Sequence, residues 1–280
     1  MGASGARQKG EAQPRPASRP WLRSAAALGL LVALTLAFYG RVVFQGEVLY
    51  GGDIARLYLP FRAALRDALQ QGRLPWWAPE MGLGYPLLAE GEVGALYPPN
   101  WPLALLFSSE VSLSLTVVLH VLWASLGLFL WGRSLGLSRA ASLLMGMIAT
   151  LGGFGAAHPG HVSILCVISW HPWMLWSTQS LFAARATRAR LRSASFLALA
   201  TAMQFLAGHP QMSLLGGMMI GALAAWLAWQ RRRAGGRGAL LLWLAALALG
   251  ALLALPQLLP ALELARLSQR AGGLDTIFFT

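Results

Sequence analysis

An all-α polytopic membrane protein is the fold class this 280-residue sequence predicts. It would have about seven transmembrane helices and a large first extracytoplasmic loop containing an amphipathic interfacial helix. Three observations predict it. The chain is 56% hydrophobic and only 11% charged, too apolar for a soluble domain. Seven apolar runs recur along it, most of them close to the roughly 20 residues a bilayer requires. The charges between those runs alternate, with arginine clusters in one set of connecting segments and nearly all acids in the other.

The formal net charge of +12 raises nucleic acid as a partner. The arginines exclude it, since they sit in short clusters between apolar runs and not along one soluble face. The lone Cys166 lies inside an apolar run, so there is no disulfide framework and no cysteine metal motif. The lipid bilayer is the partner that composition implies.

In chain order, residues 1–23 read as a disordered basic tail carrying Arg7, Lys9, Arg15, Arg19 and Arg23. The transmembrane domain takes in 24–280, with the outer loop at 40–110. Its first apolar run, 24–39, resembles a secretory signal in outline, but no small-x-small cleavage pattern precedes Gly40. A retained first helix is the better reading, with Arg23 and Arg41 snorkelling at its ends. Six further spans are expected at 111–131, 141–157, 162–182, 193–208, 212–229 and 239–256.

Charge sets the orientation. The tail and segments 132–140, 183–192 and 230–238 hold fifteen of the 22 positive residues and one acid, Glu11. The large loop, the turns at 158–161 and 209–211 and the C-terminal stretch hold the other seven positive residues and nine of the ten acids. The N-terminus is therefore expected in the cytoplasm and the loop outside.

Within the loop, Ile54, Leu57, Phe61, Leu65 and Ala68 recur at helical spacing, so 54–70 reads as an amphipathic helix with Arg62, Arg66 and Asp67 on its other faces. Pro75, Trp76, Trp77 and Pro79, then Gly82, Gly84, Tyr85 and Pro86, mark irregular chain. Residues 102–107 read as a short interfacial or re-entrant lead-in to the next span.

This topology gathers Asp53, Glu90, Glu92, His158, His161, His209, Gln211, Gln257, Glu263, Ser268 and Arg270 on the outer side. Ionisable groups at membrane depth are costly and face a cavity or a partner. A carboxylate there suits general-base work on a hydroxyl, and Arg56 or Arg270 suits a phosphate. Asp53 also fits the N-cap of a helix starting at Ile54. Glu90 and Glu92 also fit solvated loop acids. No cofactor motif is present, although Asp53 with these acids leaves a divalent cation open. His158 and His161 lack a third ligand at a fixed spacing, so no metal site is assigned. His120 and His171, the latter beside Pro172, read as packing residues within spans. Gly208 and Pro210 suit a helix end and turn, and the glycines at 152, 153, 155, 216 and 217 suit close helix packing. No phosphate-cradling glycine loop with a lysine and no nucleophile elbow occurs.

The runs GGDIARLYLPFR, GRLPWW, GLGYPLLAEGEVGALYPPNW, AGHPQ (207–211) and LPQLLPALELARLSQR (255–270) together resemble the YfhO-like bacterial membrane proteins, which belong to the GT-C class of membrane glycosyltransferases. The resemblance covers most of 40–270. It implies a GT-C-like fold, and because the compared members run longer with more spans, the chain reads as the N-terminal part of such a module, as a truncated product or as a divergent short form. It implies transfer of a hexosyl or related sugar from a polyprenyl-phosphate donor to a glycan or lipid acceptor. The reaction takes place at the outer face of the bacterial cytoplasmic membrane, by single displacement with inversion. Asp53, at the start of the first outer loop, corresponds to the catalytic base. Tyr58 and Tyr97 join the substrate-binding set through the same runs. A transporter or flippase of lipid-linked glycans and a non-catalytic scaffold are the other functions the sequence leaves open. The largely apolar spans count against transport.

Overall fold

The structure, a computed structural model, describes residues 20–268. The tail lies outside the described residues up to position 19, as does Arg270. Regular structure among the described residues is helical, apart from one antiparallel bridge between Ala78 and Tyr85.

Helices α1 (Pro20–Phe38) and α2 (Gly40–Phe44) lead into the segment expected to form the large loop. There a π-helical turn, Ile54–Tyr58, runs directly into α3 (Leu59–Gln70). Pro60 supplies no N–H to continue the α ladder, and the widened turn lies just before it. The expected amphipathic register holds: Ile54, Phe61, Leu65 and Ala68 are buried. Each Phe or Leu taken out of water contributes about 1.5–3 kcal/mol, enough to set the helix's rotation. Phe61 and Leu65 join Ala78, Leu87, Leu88, Val93 and Ala95 in a small core belonging to the loop itself. Arg62 departs from expectation. It is buried on the packed face, because it follows Tyr58 at i+4 and so lies on the same stripe.

The rest of the chain is α4 (Asn100–Leu106), α5 (Ser109–Ser134), α6 (Arg139–Leu151), α7 (Gly153–Ala157), α8 (Val162–Ile168), α9 (His171–Ala183), α10 (Thr187–Leu206), α11 (Pro210–Gln230), α12 (Gly236–Leu253) and α13 (Leu255–Leu267). Ser108 and Ser138 cap α5 and α6, their hydroxyls accepting from Val111 N and Ala141 N. By length and composition α5, α11 and α12 are long and apolar enough to cross a membrane. At 26 residues, α5 extends about 39 Å. Shorter apolar helices cover Ser24–Phe38 and Arg139–Leu151.

Two expected spans are interrupted. The run 141–157 breaks at Gly152, whose backbone is extended. A Cβ at Gly152 or Gly155 would strike the carbonyl of Ile148 or Ala149, so these glycines turn the chain and do not seat a neighbouring helix. The run 162–182 breaks at Ser169–Trp170, ahead of Pro172 in the first turn of α9. Gly216 does serve packing: a Cβ there would strike the His171 ring, while Gly217 faces open space.

In the bundle, α5 packs on α6 and α9, α10 on α9 and α12, α11 on α9, and α1 on α6. Buried hydroxyls tie three of these helices together. Thr150 Oγ1 lies 3.1 Å from Thr35 Oγ1 and 2.7 Å from Ser125 Oγ. The Trp243 indole donates to Thr178 Oγ1 over 2.9 Å and joins α12 to α9. At the arginine-rich end, Arg139 Nε donates to Ser24 Oγ, and Arg231 donates to the Phe182 carbonyl near the end of α9, where a cation complements the helix dipole.

Candidate functional site

Asp53 stands at the N-terminal end of the π-turn and does not cap it. The backbone there is already helical, and the carboxylate accepts no capping bond. It points instead toward the 158–161 turn, with Oδ2 at 3.6 Å from His161 Nε2. Both side chains are about half exposed, at 55% and 47%. The His158 and His161 rings lie 5.5 Å apart. The base candidate is thus solvent-accessible, beside an imidazole pair supplied by a turn more than 100 residues away in sequence.

A second cluster lies one helical turn along. The Tyr58 hydroxyl donates to Glu92 Oε2 over 2.9 Å. Ser163 Oγ is 2.9 Å from that hydroxyl and donates to Glu92 over 3.4 Å. Burial chiefly, and Glu92 beyond it, raise the Tyr58 pKa, so the phenol stays a donor at neutral pH. Glu90 is not a free loop acid. Its carboxylate accepts from Glu92 N, capping the 3-10 turn Gly91–Val93, and accepts the Tyr85 hydroxyl.

That turn is held from two more directions. Gly208, in a left-handed conformation between α10 and α11, lies with its backbone against Gly91. Asn100 Nδ2 donates to Gly94 O over 3.1 Å, and its Oδ1 accepts from Arg62 Nη2 over 2.9 Å. Arg62 Nη1 donates to Ser112 Oγ over 3.0 Å. Burial lowers the Arg62 pKa to about 10. Farther along, Gln257 is buried and donates to Leu88 O over 2.7 Å.

The predicted outer-side residues therefore meet in part. Asp53, His158 and His161 form one group, and Tyr58 and Glu92 form the next. Gln257 anchors the loop from α13. Tyr97 is buried, its hydroxyl 2.7 Å from His120 Nε2 and accepting from Trp170 Nε1 over 2.9 Å. His209 caps α11, its Nδ1 accepting from Met212 N. Arg56, Gln211, Glu263 and Ser268 are exposed and stand apart from the two acid clusters; the Ser268 hydroxyl bonds its own helix at Ala265 O. Among the described residues no three His, Cys, Asp or Glu side chains form a metal-binding group.

Sequence reasoning missed Arg62, Asn100 and Ser163. The signal for Arg62 was its i+4 spacing from Tyr58. That for Ser163 was its place two residues after the HPGH turn. Compared with models of known families, with curated proteins and with solved structures, the chain matches none.

Proposed function

We propose that this chain is a multi-pass glycosyltransferase of the bacterial cytoplasmic membrane. It moves a sugar from a polyprenyl-phosphate donor to a glycan or lipid acceptor at the outer face, in the manner of the YfhO-like proteins it resembles. The observation that carries the reading is the placement of Asp53. Its carboxylate is half exposed, is not used as a helix cap, and faces His161 where the loop meets the 158–161 turn.

The chemistry asks little of the protein. Asp53 takes the proton of the acceptor hydroxyl as that oxygen attacks the anomeric carbon. The bond from that carbon to the phosphate oxygen breaks, and the pair leaves with the lipid phosphate, which needs no protonation. The configuration inverts. Glu92, held by Tyr58 and Ser163, keeps a second carboxylate close by.

The seven-pass arrangement, N-terminus inside, belongs to the same proposal. Its support is the segregation of charge: the acids cluster on the loop and the arginines at the other helix ends. Exposed Trp76 and Trp77 lie on the loop side, and exposed Trp226 and Trp229 near Arg231–Arg233, as two interfacial belts would. Transport is less favoured, because His120 pairs with Tyr97 and His171 with Gln204, so these polar groups at depth satisfy one another.

The test is sugar transfer from a polyprenyl-phosphate-linked donor by membranes carrying the wild type or Asp53→Asn. Transfer by the wild type that is lost in a stably inserted variant supports the reading. Equal transfer by both removes Asp53 from the mechanism, and no transfer by either turns the proposal toward a scaffold.

A further inference from the structure

Arg62 is a buried cation with neutral partners. Its side chain is 4% exposed, and its bonds go to Ser112 and Asn100. Arg41 pairs with Glu47 and Arg73 with Asp67, His161 stands beside Asp53, and among the described residues no ion pair includes Arg62. A buried charge without a counter-charge is costly, and proteins keep one where an anion completes it. Arg62 lines a cleft with Tyr58, Glu92, Asn100 and Ser163. Glu92 shares the cleft but spends its Oε2 on the Tyr58 and Ser163 hydroxyls. As it stands the cleft admits about one water-sized group, which is the size of one phosphate oxygen and not of a whole phosphate.

Tyr97 also lines this cleft, and it is only 1% exposed. The same residue walls a second space, an apolar cavity of about 350 Å³ beside Leu119, Leu122, Leu126, Trp123 and Trp170. The polar atoms of Tyr97, His120 and Trp170 bond one another, so this cavity presents hydrocarbon. Leu119, at its edge, is 47% exposed on α5, a helix long and apolar enough to cross a membrane. A polar cleft holding an unmatched cation and an apolar cavity open toward the bilayer thus share one wall.

We propose that the two spaces form one seat for a polyprenyl phosphate: an anionic phosphate oxygen meets Arg62, and the isoprenoid chain lies beside Leu122 and Leu126. This rests on the transfer reading for its choice of lipid, and it assigns the phosphate to Arg62 in place of Arg56 or Arg270.

Binding can be read without turnover. The full chain in phosphatidylcholine nanodiscs is irradiated with a diazirine-bearing polyprenyl phosphate, with the matching uncharged polyprenol, or with a diazirine phosphatidylglycerol. The labelled peptides are then mapped. Expected is labelling at 119–126, about tenfold stronger for the phosphate than for the polyprenol. Leu126→Trp, which fills the cavity, and Arg62→Gln should each cut it about tenfold. Arg62→Lys should retain most of it, which separates loss of charge from loss of fold. Leu214→Trp, on the exposed face of α11, should change nothing. Equal labelling by the polyprenol, or labelling indifferent to Leu126→Trp, overturns the seat. Labelling of the same peptide by phosphatidylglycerol at equal strength overturns the choice of lipid. Intact labelling in a chain that transfers no sugar would sink the transfer reading alone.

Discussion

The Tyr58 hydroxyl and the Glu92 carboxylate, 34 residues apart, meet at 2.9 Å and so join the helical half of the 45–99 segment to its irregular half. Hydrogen bonds to a charged group contribute about 1.5–3 kcal/mol when one partner is removed. Tyr58→Phe is therefore expected to lower stability by that amount, read as a lower melting midpoint in detergent. Tyr50→Phe is the control, because Tyr50 is exposed. Equal midpoints for the two variants would contradict a structural role for the pair.

Among the described glycines, Gly208 leaves the least room for a side chain. Its φ is +85°, and a Cβ there would overlap the Gly91 carbonyl. The left-handed conformation alone costs a non-glycine residue about 1–2 kcal/mol, and the overlap adds to it. Gly208→Ala is expected to lower stability by more than about 2 kcal/mol and to loosen the carboxylate turn, seen as faster hydrogen exchange at 90–94. Gly217→Ala meets nothing within 4 Å, and in a helix interior it should stabilise by up to about 1 kcal/mol.

How far the sequence could be read depends on what kind of physics decides each feature. The register of 54–68 was legible, because burial of a three/four stripe is local and its gain exceeds any competing preference. Arg62 was hidden by the same rule, since a charge is ordinarily assigned to a wet face and only the packed structure shows it spanning to Asn100 and Ser112. Hydropathy located the apolar runs but not the breaks at Gly152 and Ser169–Trp170, because a windowed average registers neither one extended glycine nor a ladder interrupted ahead of Pro172. The meetings of Asp53 with His161, Gly91 with Gly208 and Leu88 with Gln257 were beyond sequence reasoning altogether. Each joins elements more than 100 residues apart, and only the helix packing brings them together.

Alkaline pH provides a test of the buried tyrosines. Burial chiefly raises the pKa of Tyr58 and of Tyr97 above the ordinary 10.0. The folded protein then keeps protons that the unfolded chain gives up. The stability from each is fully present below about pH 10 and is lost as pH rises further. Arg62 acts in the opposite sense, because its pKa falls from 12.5 to about 10 and the unfolded chain holds that proton longer. Two tyrosines outweigh one arginine, so the melting midpoint should drop above about pH 10. Tyr58→Phe should flatten the fall by one proton's share, about 1.4 kcal/mol per pH unit. A slope unchanged by the substitution would place the Tyr58 phenol in water.

Asp53 and Glu92 are the two carboxylates between which the catalytic assignment lies, and their settings predict opposite signatures. Asp53 is exposed and lies 3.6 Å from His161 Nε2, a surface contact worth at most about 1 kcal/mol in water. Asp53→Asn should leave the melting midpoint within error and lower transfer by roughly 10²–10⁴, the contribution of a general base. Glu92 holds two hydroxyls in a partly buried site. Glu92→Gln should cost about 1.5–3 kcal/mol of stability while the residual transfer keeps its wild-type pH profile, since the base is untouched. If instead Glu92→Gln abolishes transfer and flattens that profile while Asp53→Asn retains activity, the base is Glu92. The Tyr58 and Ser163 hydroxyls would then be the groups that orient it toward the acceptor.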